Sequence, residues 1–391
     1  MIVALGVTQV VGYGTLYYSF AVLAPMISTD LGLALSWIYG GFSAALLIGG
    51  LGAPLAGRLI DRHGARNVMI AGSVVAALSM LALSQVQGLA SLGAALLVIE
   101  VATLLVTYDA AFAALTQSFG RARARRAITT MTLMGGFAST LFWPLTGWLM
   151  YGYGWRETLM IYAALHLVLC LPLHLTLPRP DLVTPPRDAL SEGSAPVHVP
   201  LPPERHTAAL WLLGGSFALS GFVYAAATAC WVILFQGMGH SAQAAVIAGT
   251  LMGPAQVAVR VLDMGFGQRM HPVTTALITG GLLVAALAVL SLAPGVTLAG
   301  WVFAVLFGLS QGLVSIVRGT VPLALFGTVG FGARLGQLAR LRMIAAALAP
   351  FTVTSALTLL QPQVTLIGLV LLTVAAQTLL WPLLPRASNA G

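Results

Sequence analysis

The chain has 391 residues, 59% of them hydrophobic and only 7% charged, with a formal net charge of +8. A water-facing surface needs about a quarter charged residues, so a soluble globular fold is excluded and lipid is the natural solvent. Every basic residue is arginine, and these arginines sit between apolar runs rather than on one basic face, which argues against nucleic acid as a partner.

A spanning helix needs about 20 mainly apolar residues, and twelve such runs can be read, roughly at 2–26, 35–60, 67–86, 91–118, 126–150, 156–177, 207–236, 241–266, 273–293, 297–325, 336–360 and 362–384. The runs are continuous, without the period-two alternation of a membrane barrel. The first is long enough to remain as a span rather than act as a cleaved signal. Between the sixth and seventh lies "PRPDLVTPPRDALSEGSAPVHVPLPPERH", with eight of the twenty prolines. Proline lacks an amide donor and this segment has little to bury, so it reads as a polar linker. The expected organisation is a six-helix bundle at 1–177, a cytoplasmic linker at 178–206 and a second six-helix bundle at 207–391.

Arginine placement sets the orientation. Arg62, Arg66, Arg121, Arg123, Arg125, Arg126, Arg179, Arg187, Arg205, Arg269, Arg334 and Arg386 all fall on one side, and Arg156 is the exception. Both termini are therefore expected in the cytoplasm. Within this frame the halves repeat: "AGRLID" (Ala56 to Asp61) ends the second run and "AVRVLD" (Ala258 to Asp263) ends the eighth, 202 residues later. Two six-helix halves are a transporter plan.

The stretch "GRLIDRHGARNVM" concentrates charge at the turn after the second run. Gly64 permits a tight turn, and Asp61 at the membrane edge can meet a helix N-terminus or an arginine. Gly57, Asp61, Arg62, Gly64 and Arg66 match the G-x-x-x-D-R-x-G-R-R signature of the major facilitator superfamily, with Ala65 in place of its first closing arginine. The chain resembles that superfamily along its whole length. "GWR" (Gly154 to Arg156) is similar to a motif outside the fifth helix of many members, and Pro144 and Gly147 match part of the antiporter motif. "GYGTLYYSF", "GGFASTLFWPLTGWL" and "IVRGTVPLALFG" resemble a bacterial branch that includes arsenite-efflux permeases. The resemblance implies an all-α fold of twelve spans in two pseudo-symmetric bundles. It also implies alternating access and a conformational latch at Gly57, Asp61, Arg62, Gly64 and Arg66.

The resemblance further implies that helices 1, 4, 7 and 10 line the substrate site. Each carries a polar stripe at helical spacing: Gln9, Tyr13 and Tyr17; Glu100, Thr103 and Thr107; Ser216, Ser220 and Tyr224; Gln311, Ser315 and Arg318. Charges inside spans are costly, which singles out Glu100, Asp109 and Arg318. Glu100 and Asp109 are proton-coupling candidates, and Asp109 can alternatively pair with Arg62 or Arg66. Arg318 is either a carboxylate clamp or an internal ion-pair partner. Arg260, Arg340 and Arg342 are expected to snorkel. Cys170 and Cys230 lie at different depths and are not expected to form one thiolate site.

No G-x-x-x-x-G-K-[ST], HExxH or GxSxG motif occurs, so the expectation is a transporter without a cofactor or metal and not an enzyme. It is expected to work as a monomer in the bacterial inner membrane. The first functional expectation is proton-coupled efflux of a small toxic solute, such as arsenite or a drug-like compound. The alternative is uptake or exchange of an organic anion, a monocarboxylate or dicarboxylate.

Overall fold

The computed structural model describes residues 1–179 and 200–385. The expected linker falls mostly on 180–199, outside the described residues. Among those described, the regular structure is helical throughout. The elements are α1 (Ile2–Leu31), α2 (Leu35–His63), α3 (Ala65–Ser84), α4 (Leu89–Val106), α5 (Tyr108–Gly135), α6 (Ala138–Tyr153) and α7 (Trp155–Leu175). Then follow α8 (His206–Ala229), α9 (Trp231–Gly237), α10 (Ala242–Gly265), α11 (Pro272–Leu292), α12 (Thr297–Phe326), α13 (Phe331–Leu359) and α14 (Pro362–Thr378).

Ten of the described helices are long and apolar enough to cross a membrane. The two expected runs outside that set have local reasons. The fifth is interrupted at Gly136 and Phe137, and α6 itself has only 16 residues. The eleventh, α13, carries Arg334, Arg340 and Arg342 in its first half. The fourth run is also broken. Thr107 is extended (φ −87°, ψ −164°), which ends α4 and restarts the chain as α5. Two further spans are locally widened into π turns, α1 at Gly14–Tyr18 and α7 at His166–Cys170. Such turns gather at functional positions.

The chain forms two compact units. The first is Met1–Ser194 with Thr328–Arg340, and the second is Ala195–Gly327 with Leu341–Gly391. The start of α13 thus packs with the first six spans. The core of unit 1 is built from Leu23, Ile27, Met80, Leu92, Phe142 and Tyr162, with their neighbours. That of unit 2 is aromatic. Trp231 stacks on Phe303 with centroids 5.0 Å apart and lies near Phe235 and Phe307. Such rings bury large areas without leaving backbone groups unpaired.

Candidate transport site and cytoplasmic latch

The charged turn after α2 is built from its glycines. Gly64 has φ +79°, a conformation that favours glycine, and it reverses the chain between α2 and α3. Gln117 of α5 pins the turn, its Oε1 accepting from the Ala65 amide at 2.9 Å. Arg66 donates through Nη2 to the Leu175 carbonyl at 2.9 Å, tying the start of α3 to the end of α7. Arg62 is exposed.

Asp61 does what its place at the membrane edge allows. Its Oδ1 accepts from the Gly332 amide at 2.8 Å, and its Oδ2 from the Ala333 amide at 2.7 Å. These are first-turn amides of α13, which no carbonyl of their own helix can satisfy. A carboxylate there also meets the positive end of the helix dipole. Glycine makes the approach close enough. A Cβ on Gly57 would run into the Gly332 carbonyl, and one on Gly336 into the Ala53 carbonyl. Asp109 lines a small crevice at this crossing, beside Ala53, Gly57, Gly332 and Gly336. Arg334 is partly withdrawn from water; burial lowers its pKa and the nearby Asp61 charge raises it again.

The centre of unit 1 is organised around the break in the fourth span. The extended Thr107 frees the Val106 carbonyl from its helix, and Gln9 Nε2 donates to it at 2.8 Å. Gln9 is fully buried, and its Oε1 has no partner among the described residues. Tyr13 packs on Tyr108 with centroids 4.6 Å apart, while Tyr17 is exposed. The structure thus brings Gln9 and Tyr13 to one broken helix. Glu100 sits apart from them. It is 3% exposed at the crossing of α2 and α4, where a Cβ on Gly49 would come within 3.0 Å of its Cβ. Its Oε2 has no partner among the described residues.

In unit 2 the expected residues converge on α12. Between Ser310 and Gly327 its only positions short of full burial are Gln311, Val314 and Arg318, spaced three and four apart on one face. Tyr224 shares a short hydroxyl contact with Ser310, whose own hydroxyl donates to the Thr279 carbonyl at 2.6 Å. Gln311 accepts from Gln256 Nε2 of α10 at 2.9 Å. Trp231 belongs to the aromatic core, its indole N–H donating to the Ala245 carbonyl.

Arg260 departs from expectation. Rather than snorkel, it is 4% exposed, and its Nε donates to the Gly312 carbonyl at 3.2 Å. Its Nη1 has no partner among the described residues. Gln117, Gln256 and Ser310 carried no signal of their own in the sequence, and Arg260 was expected at the membrane edge rather than inside. For Arg260 a signal existed. It stands one turn after Gln256 in α10, the same helical face as the glutamine that meets Gln311.

Broken spans and buried polar groups within a helical membrane protein are features of transporters. Residues 5–330 match the Major Facilitator Superfamily, and the chain belongs to that family of secondary transporters. It is 31% identical over 137 residues to rat monocarboxylate transporter 13, and 30% identical over 137 residues to the bovine protein. Those alignments span 34% of this chain and about a third, 31%, of the length of each relative. Among solved structures, the human organic anion transporter MFSD10 (TETRAN) superposes with a TM-score of 0.72 at 18% identity, covering 97% of this chain and 98% of that one. The proton:xylose symporter XylE, bound to 6-bromo-6-deoxy-D-glucose, gives 0.71 at 14% identity, covering 98% and 96%.

Proposed function

We infer that this transporter moves a small organic anion, a monocarboxylate in the first instance, together with a proton and by alternating access. The observation that carries the reading is Arg260. A guanidinium is always charged, and burying it with an unmet N–H is costly unless a ligand completes its bonding. A carboxylate fits the planar fork in two-point contact. Arg318, on the half-open face of α12 with Gln311, supplies a second cation in the same unit. The partial match to monocarboxylate transporters and the fold shared with an organic anion transporter support the same class. A neutral solute such as arsenious acid would leave Arg260 uncompensated, so the anion reading is preferred to toxic-solute efflux.

Proton coupling is assigned to Glu100, with Asp109 as a latch residue. A buried ion without a partner is costly, so Glu100 is suited to taking up and returning a proton. Asp109 lies at the α2–α13 crossing, where its charge supports closure. The arginine pattern supports an orientation with both termini in the cytoplasm.

The test is uptake into proteoliposomes of radiolabelled benzoate, lactate, xylose and arsenite, with and without an acid-outside pH gradient. Benzoate or lactate should accumulate only with the gradient. Glu100→Gln should abolish accumulation yet keep gradient-free exchange, while Asp109→Asn should slow both. Movement of arsenite or xylose in place of the carboxylates would overturn the reading.

A further inference from the structure

The sixth span carries polar groups that neither the latch nor the anion site uses. His166, Cys170 and His174 stand one turn apart on α7, each 1% exposed. The two imidazoles reach hydroxyls on neighbouring helices of unit 1. His166 Nε2 is 2.8 Å from Thr15 Oγ1, and His174 Nδ1 is 2.7 Å from Ser73 Oγ.

Those hydroxyls fix the tautomers. Thr15 Oγ1 also lies 2.8 Å from the Val11 carbonyl, and Ser73 Oγ 3.1 Å from the Met69 carbonyl. A hydroxyl has one proton, and a carbonyl only accepts. Thr15 and Ser73 therefore donate to their own helices, and the histidines donate to them. His166 carries its proton on Nε2 and His174 on Nδ1. The opposite nitrogens are bare lone pairs. His166 Nδ1 and His174 Nε2 are both buried with no partner among the described residues. Buried acceptors without a donor are uncommon. Here there are two, on one helix.

Their setting is the second observation. His166 opens the π turn of α7, and Thr15 lies in the π turn of α1, so one hydrogen bond joins the two widened turns. At the other end His174 adjoins Leu175, whose carbonyl accepts from Arg66 at the arginine-rich face. At 1.5 Å per residue the two rings are roughly 12 Å apart along α7. They lead from that face towards the helix that carries Gln9 and Tyr13.

We propose that His166 and His174 are a proton-accepting pair inside unit 1, distinct from Glu100 and Asp109, through which a proton passes between the arginine-rich face and α1. Each ring gains a proton at its bare nitrogen, becomes imidazolium, and returns the proton from the same atom. Its bond to Thr15 or Ser73 is kept throughout, so no rearrangement of the hydroxyl network is needed. Water supplies and removes the proton. The other titratable and charged groups on packed elements are Arg156, Glu157, Tyr162 and Cys170 of α7, Tyr13, Tyr17, Tyr18 and Asp30 of α1, Arg66 of α3, and Tyr151 and Tyr153 of α6. Neither ring has a carboxylate partner among the described residues. The proposal rests on the proton-coupled reading above, and its test separates the two.

The experiment is ¹⁵N NMR of the full chain, histidine-labelled, in lipid nanodiscs from pH 8 to pH 5. At pH 8 two of the seven histidines should be fixed in opposite tautomers, Nε2–H for His166 and Nδ1–H for His174. These signals should vanish in His166→Gln and His174→Gln respectively. On acidification at least one ring should become imidazolium. Reversed tautomers, or two rings neutral down to pH 5, would overturn the proposal. In proteoliposomes each glutamine variant should lose at least five-fold of the gradient-stimulated benzoate uptake and keep gradient-free exchange within two-fold. Equal loss of both would make the pair structural and also overturn it. If the wild-type chain carries no benzoate, the transport reading fails, while the wild-type titration still decides the pair and needs no variant to fold.

Discussion

The two copies of the repeated segment have opposite fates. In "AGRLID" both Arg58 and Asp61 are exposed, and Asp61 grips the first turn of α13. In "AVRVLD" the matching Arg260 and Asp263 are 4% and 5% exposed. One neighbour explains much of this. Gly57 admits the backbone of α13 against α2. Its counterpart Val259 instead packs with Leu313 and Ile316 of α12. A duplicated motif therefore conserves register without conserving environment. One copy holds a surface contact together, and the other places a cation in the interior, its Nη1 without a partner among the described residues.

The largest effect is expected at Arg260. Arg260→Lys should weaken anion affinity by about 1.5–3 kcal/mol, roughly 10- to 150-fold, because a point charge cannot replace the fork. Concentration dependence of benzoate uptake measures it, and unchanged affinity would remove Arg260 from the site. Next is Gly57→Val, which makes the first copy resemble the second. The added methyls meet the Gly332 carbonyl, and overpacking of this kind costs about 1–3 kcal/mol. The expected result is a lower Tm with normal membrane insertion, and a wild-type Tm would mean that α13 does not approach α2 so closely.

Asp61→Asn tests the contact itself. Asparagine keeps one acceptor but loses the charge at the helix terminus, an effect of about 0.3–1 kcal/mol. Turnover should fall a few-fold while expression holds, and a full-speed variant would deny the latch a role. The smallest effect is expected at Arg58→Gln. An exposed side chain away from special features changes stability by about 0.5 kcal/mol or less. Should Arg58→Gln match Arg260→Lys in transport, the contrast between the copies would collapse.

Much of the fold was legible because lipid imposes a simple rule. A chain crossing it must be apolar for about 20 residues and helical. The latch turn was legible for a similar reason, since charges cluster where spans leave the membrane. The candidate site was legible in part. Gln311 and Arg318 do share a half-open face of α12, because helical spacing alone decides that. Glu100 and Thr103 lie within α4 as expected, but the helix ends at Val106, so Thr107 stands at a break that helical spacing does not foretell.

The membrane class, the run of spans, the arginine-rich face and the family signature at Gly57 to Arg66 are all written in the sequence. Each follows from local composition or from spacing along one helix. Packing between helices decided that Arg260 is buried while Arg58 is not, and that Asp61 reaches amides 271 and 272 positions away. It also decided that Gln9 caps the break after Val106, and that the lone pairs of His166 and His174 face no donor. The physical reason is that burial and hydrogen-bond partners are properties of the neighbouring helix, and a helix's own sequence does not say which neighbour, glycine or valine, will stand against it.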